Sequence, residues 1–376
     1  MLLLVYVHGY NLNERYLHAA SFVNEHLTFN TFIQYFLANG IFRFRIPMLF
    51  IISGFLFALH DQKPYKERTV KRLKTLLLPY LLWSAIGMLF VFSLEQFPYT
   101  LNLVKQTPFW PYPEKLIQDY NFDEFMTKWI LYPLPFQLWF IRVLLIYNIL
   151  YPVIKWAVMK GIKKIILGFI SFVFIIGLLG HLAYSQQIEI LQTIINPIGF
   201  LVGFIDIESL LYFMIGVWIQ KNSFNILQPN KWLSSVFWGV IFIGLATIKT
   251  WLAFKGIAIL GENVYFPLMF FMHKIVIFSG LISIWFGCDF LVRFFMNQSW
   301  FVWISAFSFM IYALHAPLIN YALNATFPLV DHIPHYRLLT FIFLPTIISL
   351  FCIGVGAILR KFTPSVYGLL TGGRGM

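Results

Sequence analysis

Charge and cysteine are scarce in this 376-residue chain. Charged residues make up 11% of it, against roughly 25% in a soluble domain, which excludes an ordinary water-soluble fold. Its two cysteines, Cys288 and Cys352, match no disulfide or metal-site spacing and read as buried thiols. There is no internal repeat and no low-complexity tract. Met1–Tyr10 (MLLLVYVHGY) is apolar but has no basic start and no small-residue cleavage site, so it is not a signal peptide. Acid is scarcer than base, 15 residues against 27, for a formal net charge of +12. Those basic residues sit in short connectors between apolar runs, as membrane topology demands, which argues against nucleic-acid binding.

What is abundant is apolar surface: 60% of residues are hydrophobic and 20% aromatic. Long apolar runs recur along the whole length. The expected fold class is therefore an all-α polytopic membrane protein, one integral-membrane domain over 1–376. About ten spans are predicted, near 1–10, 46–60, 76–94, 137–157, 165–182, 197–219, 233–254, 266–287, 301–322 and 339–359. The first is short of the roughly 20 residues a crossing needs and reads as the outer half of a helix truncated at its N-terminus.

Alternate connectors carry unequal charge. Sixteen of the 27 Lys and Arg fall in 61–75, 155–164, 220–232, 288–300 and 360–376, and eight fall in 11–45, 95–136, 183–196, 255–265 and 323–338. Arg142, Lys249 and Lys274 lie inside spans. The asymmetry predicts a multi-pass inner (plasma) membrane protein with the 61–75 connector and the C-terminus cytoplasmic.

Ionisable residues inside apolar runs are the candidates for chemistry. His8, in LLLVYVHGYN, is either a general base for an attacking hydroxyl or an interfacial histidine near a helix end. In the 61–75 connector, Arg68, Lys71, Arg72 and Thr75 share one helical face, which suits a polyphosphate but also suits any cytoplasmic connector, and Glu67 is placed to pair with Lys71. Arg142 either snorkels to the interface or holds an anionic group. Trp139 beside it is a binding platform or part of an interfacial aromatic belt. Asp206 and Glu208 pair with Lys249 or Lys274, or mark a non-helical entry to their span. His315 and Tyr312 share a helical face, in either a structural or a substrate-binding role. His332 and His335 form an HxxH pair with no acidic companion, and no metal site is expected.

Six segments occur in an order that carries a resemblance: VYVHGYN, RIPMLFIISGFLF, VKRLKTLLLPYLLW, LWFIRVLLIY, YFMIGVWI and SFMIYALHAPLI. Together they resemble the membrane-bound acyltransferase 3 family over nearly the whole chain. The resemblance implies a ten-helix enzyme, an O-acyltransferase and most often an O-acetyltransferase. Its co-substrate is cytosolic acyl-CoA, usually acetyl-CoA in this family, with no bound cofactor. Its acceptor is a polysaccharide or lipid-linked glycan at the cell surface, as in exopolysaccharide biosynthesis. It implies His8 as catalytic and Arg72 as the first member of a donor-binding basic pair, with Arg68 and Lys71 beside it; Thr75 stands where the second member is expected. Arg142, Trp139 and His315 are the expected substrate-binding residues. The rival expectation is a glycan or lipid transporter or flippase, with Asp206, Glu208 and the intramembrane lysines along its path.

Overall fold

The computed structural model describes residues 1–13, 17–107, 115–185, 188–226 and 231–375. All regular structure among them is helical. Six helices are long and apolar enough to cross a membrane: Phe29–Leu59, Tyr65–Glu95, Phe136–Gly161, Ser235–Leu260, Glu262–Gly287 and Tyr336–Phe362. Two bent pairs, Gln192–Ile205 with Ile207–Lys221 and Ser299–Ser305 with Ser308–Val330, raise the number to eight. These eight fall on eight of the ten predicted spans. Of the other two, 1–10 forms only the seven-residue helix Leu2–His8. The segment 165–182 continues the long helix Trp139–Ser185 beyond a break at Gly161, whose φ of 143° only glycine adopts readily. The spanning helices are apolar on every side and expose Val240, Phe271, Phe343 and Leu350, as a helix does when lipid is its solvent.

One boundary differs from expectation in a way that matters. The segment 11–45 reads as an outer connector, yet helix begins at Phe29, where the Thr28 side chain caps it, and runs on to Leu59. Between its α-helical ends lie a wide π turn, Phe36–Gly40, and a tight 3-10 turn, Ile41–Phe44. Arg43 and Arg45 are therefore inside a span rather than in a connector. The charge asymmetry of the connectors is correspondingly sharper.

The chain forms two compact units, the first comprising Met1–Arg45, Lys74–Trp139 and Leu227–Met376, the second Ile46–Leu73 and Phe140–Ile226. Within the second, three connectors expected on the same face converge on one carboxylate. Asp61 accepts from Lys221 Nζ (2.6 Å) and Tyr151 OH (3.1 Å) and pairs with Lys155 Nζ (2.9 Å). Burial raises its proton affinity, but those partners outweigh burial and hold the carboxyl below its ordinary range. Within the first unit the C-terminal residues reach the end of the 61–75 connector, where Arg374 donates to Thr75 O (3.0 Å). The opposite connectors also meet one another in this unit. Arg337 pairs with Glu25 (2.6 Å), Tyr265 OH donates to Ser21 O (3.1 Å), and Asn324 donates to Thr107.

Two of the ordered segments are explained by one helix crossing in the second unit. A Cβ on Gly54 would be driven into Phe213 O, and one on Gly216 into Ile51 O. Helix Arg45–Leu59 and helix Ile207–Lys221 approach backbone to backbone, which only small residues permit in a membrane. Asp206, in the left-handed region (φ 53°), caps the second helix through Ser209, and its carbonyl accepts from Tyr147 OH (2.7 Å). It is a non-helical break within its span, between Gln192–Ile205 and Ile207–Lys221, rather than the entry to the span that one of the two sequence readings expects.

Candidate functional site

Three elements of the first unit meet at His8. Helix Leu2–His8 ends there, with Val5 and Val7 buried on its packed face. The second element is the 3-10 turn Phe136–Leu138, pinned between Pro133, Pro135 and the helix that follows. The third is Ser308–Val330, broken at Ala316 (φ −121°, ψ 138°) ahead of Pro317.

The break follows from chemistry. Proline has no N–H to give to the carbonyl four residues back, which here is Ala313 O. Gln137 Nε2 supplies the missing donor, to Ala313 O and to Ala316 O, both at 2.8 Å. Tyr312 OH returns a hydrogen bond to Gln137 O (2.6 Å). These three bonds lock the turn against the broken helix. That places Phe136 edge-on to the His8 ring (4.9 Å between centroids) and His315 beside it (5.4 Å).

The two imidazoles differ. His315 is fully buried, and its Nδ1 faces Ile311 O (2.9 Å) and Tyr312 O (3.0 Å). Both are acceptors, so Nδ1 carries the proton and Nε2 is left as an acceptor. Nε2 is buried with no partner among the described residues. His8 is half-buried, and no described group hydrogen-bonds its ring, so both of its nitrogens are available. Helix Leu2–His8 packs against the turn Ile41–Phe44 that precedes Arg45. Arg45 is 9% exposed and donates to Phe42 O (2.8 Å).

Trp139, also in this unit, is half-buried one helical turn beyond Phe136, where the long helix begins. The remaining expected residues belong to the second unit. Arg68 lies 5.0 Å over the Tyr151 ring and donates to Lys63 O; Arg72 lies 4.3 Å over Phe57. Arg142 lies 4.6 Å over Phe204. Each guanidinium lies within cation–π distance of an aromatic ring. Glu67 pairs with Lys63 (3.6 Å) rather than with Lys71, because at that spacing the helix offers it either neighbour. Lys71 is exposed, with no described partner. The helical face stops short of Thr75, which sits in the wide turn Leu73–Leu77 and offers its carbonyl to Arg374.

The model for an acyltransferase domain, Acyl_transf_3, matches residues 1–360. The chain belongs to the acyltransferase 3 family. It is a membrane acyltransferase whose regular structure, among the described residues, is wholly helical. No curated protein and no solved structure matches it. Among the described residues no group of three or more His, Cys, Asp or Glu is placed to hold a metal.

Sequence reasoning did not single out Phe136, Gln137, Arg43 or Arg45. A signal existed for each pair. Pro317 in ALHAPLI announces a freed carbonyl that needs a donor, and Gln137 is the one amide in PLPFQLWF able to give it. The Arg pair in FRFRIP is set among apolar residues, as an intramembrane charge would be.

Proposed function

We propose that this acyltransferase moves an acyl group, most simply acetyl, from cytosolic acyl-CoA to a hydroxyl of a cell-surface polysaccharide or lipid-linked sugar. The observation that carries the reading is the pairing of His8 with His315. His8 has both ring nitrogens unengaged among the described residues, and His315 is fixed as a hydrogen-bond acceptor beside it. A thioester is already activated, so the step needs a base on the hydroxyl. His8 takes the hydroxyl proton as the oxygen attacks the thioester carbonyl; the C–S bond breaks and the thiolate leaves, to be protonated as free CoA. Sugars present neighbouring hydroxyls, and His315 Nε2 supplies the acceptor that orients one of them.

Arg68 and Arg72, over the Tyr151 and Phe57 rings, and the exposed Lys71 suit the phosphates of the donor. On this reading their connector and the C-terminus face the cytoplasm, as the excess of Lys and Arg supports, and the membrane is the inner one. Arg142 and Trp139 are assigned to substrate. Mass spectrometry of surface glycans from cells with and without the gene tests the proposal. One added acyl mass on a defined sugar, restored by the wild-type gene and not by His8→Ala, is the expected result. Identical glycans in all strains would overturn it.

A further inference from the structure

Around the turn Ile41–Phe44, on which helix Leu2–His8 packs, the first unit buries basic side chains that no described carboxylate pairs. Lys249 has no solvent exposure; its Nζ donates to Asn39 O (2.7 Å) and lies 3.0 Å from His273 Nδ1. Arg43 donates to Leu17 O (2.7 Å), while its Nε is buried without a partner among the described residues. The same holds for Arg45 Nε. No described carboxylate pairs with Lys249 or Arg43, whose polar partners are Asn39 O, His273 Nδ1 and Leu17 O. Glu25, an acid of the outer connector in this unit, is taken by Arg337. Buried charges are ordinarily paired, because an unpaired one forfeits its hydration with no return. The backbone that carries Asn39 and Arg43 is the π and 3-10 interruption of Phe29–Leu59, and wide turns of this kind recur at functional sites.

We propose that Arg43, Lys249 and His273, continuous with Arg45 and His8, hold an oxyanion carried by the acceptor. The enzyme then acylates an anionic sugar, one bearing a phosphate or a carboxylate, rather than a neutral one. This inference rests on the acyl-transfer reading for what the anion is attached to, but the anion site stands on its own geometry. The site differs from the donor residues, since Arg68, Lys71 and Arg72 belong to the other unit.

The test uses the full-length protein purified in detergent. Thermal melting is followed with glucose 1-phosphate, glucuronate and glucose at equal concentration. At least one anionic sugar raises the midpoint and glucose does not; the shift disappears in Lys249→Gln and Arg43→Gln and survives in Arg72→Gln. An equal shift with glucose, no shift with either anion, or a shift lost only in Arg72→Gln would overturn the proposal. Should the Lys249 and Arg43 variants fail to fold, the wild type decides. Its kcat/KM from acetyl-CoA to the favoured anionic sugar exceeds that to glucose by at least about tenfold, the worth of one charge-assisted hydrogen bond. Equal transfer to both would sink the anion site and leave acyl transfer intact. Anion binding without any transfer would sink acyl transfer and leave the anion site.

Discussion

Replacing Gln137 by Leu roughly keeps the volume of the side chain and removes its amide, whose Nε2 is the donor and whose Oε1 has no partner among the described residues. Two carbonyls then lose their partner, Ala313 O and Ala316 O. Ala313 is 3% exposed and Ala316 1%, so neither water nor lipid headgroups can substitute. Each unsatisfied buried carbonyl costs roughly 1–3 kcal/mol, whereas hydrogen bonds between membrane helices average about 0.6 kcal/mol because the unfolded chain finds other partners. The larger figure applies here, since the proline leaves Ala313 O no helical alternative. The expected loss is about 2–5 kcal/mol, read as a lower midpoint in a reversible unfolding titration with a denaturing detergent. Gln137→Glu, of the same shape but without the N–H donors when ionised, falls at least as far. Acyl transfer falls in both, because the neighbouring Phe136 packs on His8. An unchanged midpoint for Gln137→Leu would refute the account of how the broken helix is held.

Gly216→Leu drives a side chain into the backbone of the facing helix at Ile51, which cannot yield as a side chain would; overpacking of this kind costs about 1–3 kcal/mol or more, and the variant's monodisperse fraction on size exclusion falls. Asp61→Asn leaves Lys155 and Lys221 facing each other. The lysines are partly solvated, so the expected destabilisation is about 1 kcal/mol, measured as a lower unfolding midpoint. The folded carboxyl lies below its ordinary value of 3.8, so its contribution is complete above that pH and vanishes as pH falls through the lower, folded value; Asp61→Asn should abolish that part of the acid dependence. On the proposed donor role, Arg72→Gln raises KM for acyl-CoA by about tenfold with kcat little changed. An unchanged KM would remove Arg72 from the donor site.

Much of the architecture was legible because it rests on composition. Eight spans follow from apolar length, and the 61–75, 155–164 and 220–232 connectors, grouped by their Lys and Arg, meet where Lys155 and Lys221 converge on Asp61. Local exceptions were harder. Helix from Phe29 to Arg45 was hidden because the run FNTFIQYFLANGIFRFR mixes polar residues into an apolar stretch, and only tertiary packing shows that they face inward. The site was legible in part. His8 and His315 stand out as histidines in apolar runs, and the structure brings their rings together. Gln137 was not legible, since its task is set by a carbonyl that Pro317 frees 176 residues away. The Glu67–Lys71 pair failed because helical spacing allows Lys63 equally well.

The central claim is that His8 is the base in acyl transfer. The direct measurement is transfer of labelled acetyl from acetyl-CoA by purified wild type and His8→Ala, reconstituted side by side with a glycan acceptor. The account predicts a loss of at least about a hundredfold, with unchanged melting and unchanged acetyl-CoA binding. Transfer by His8→Ala at the wild-type rate would contradict it.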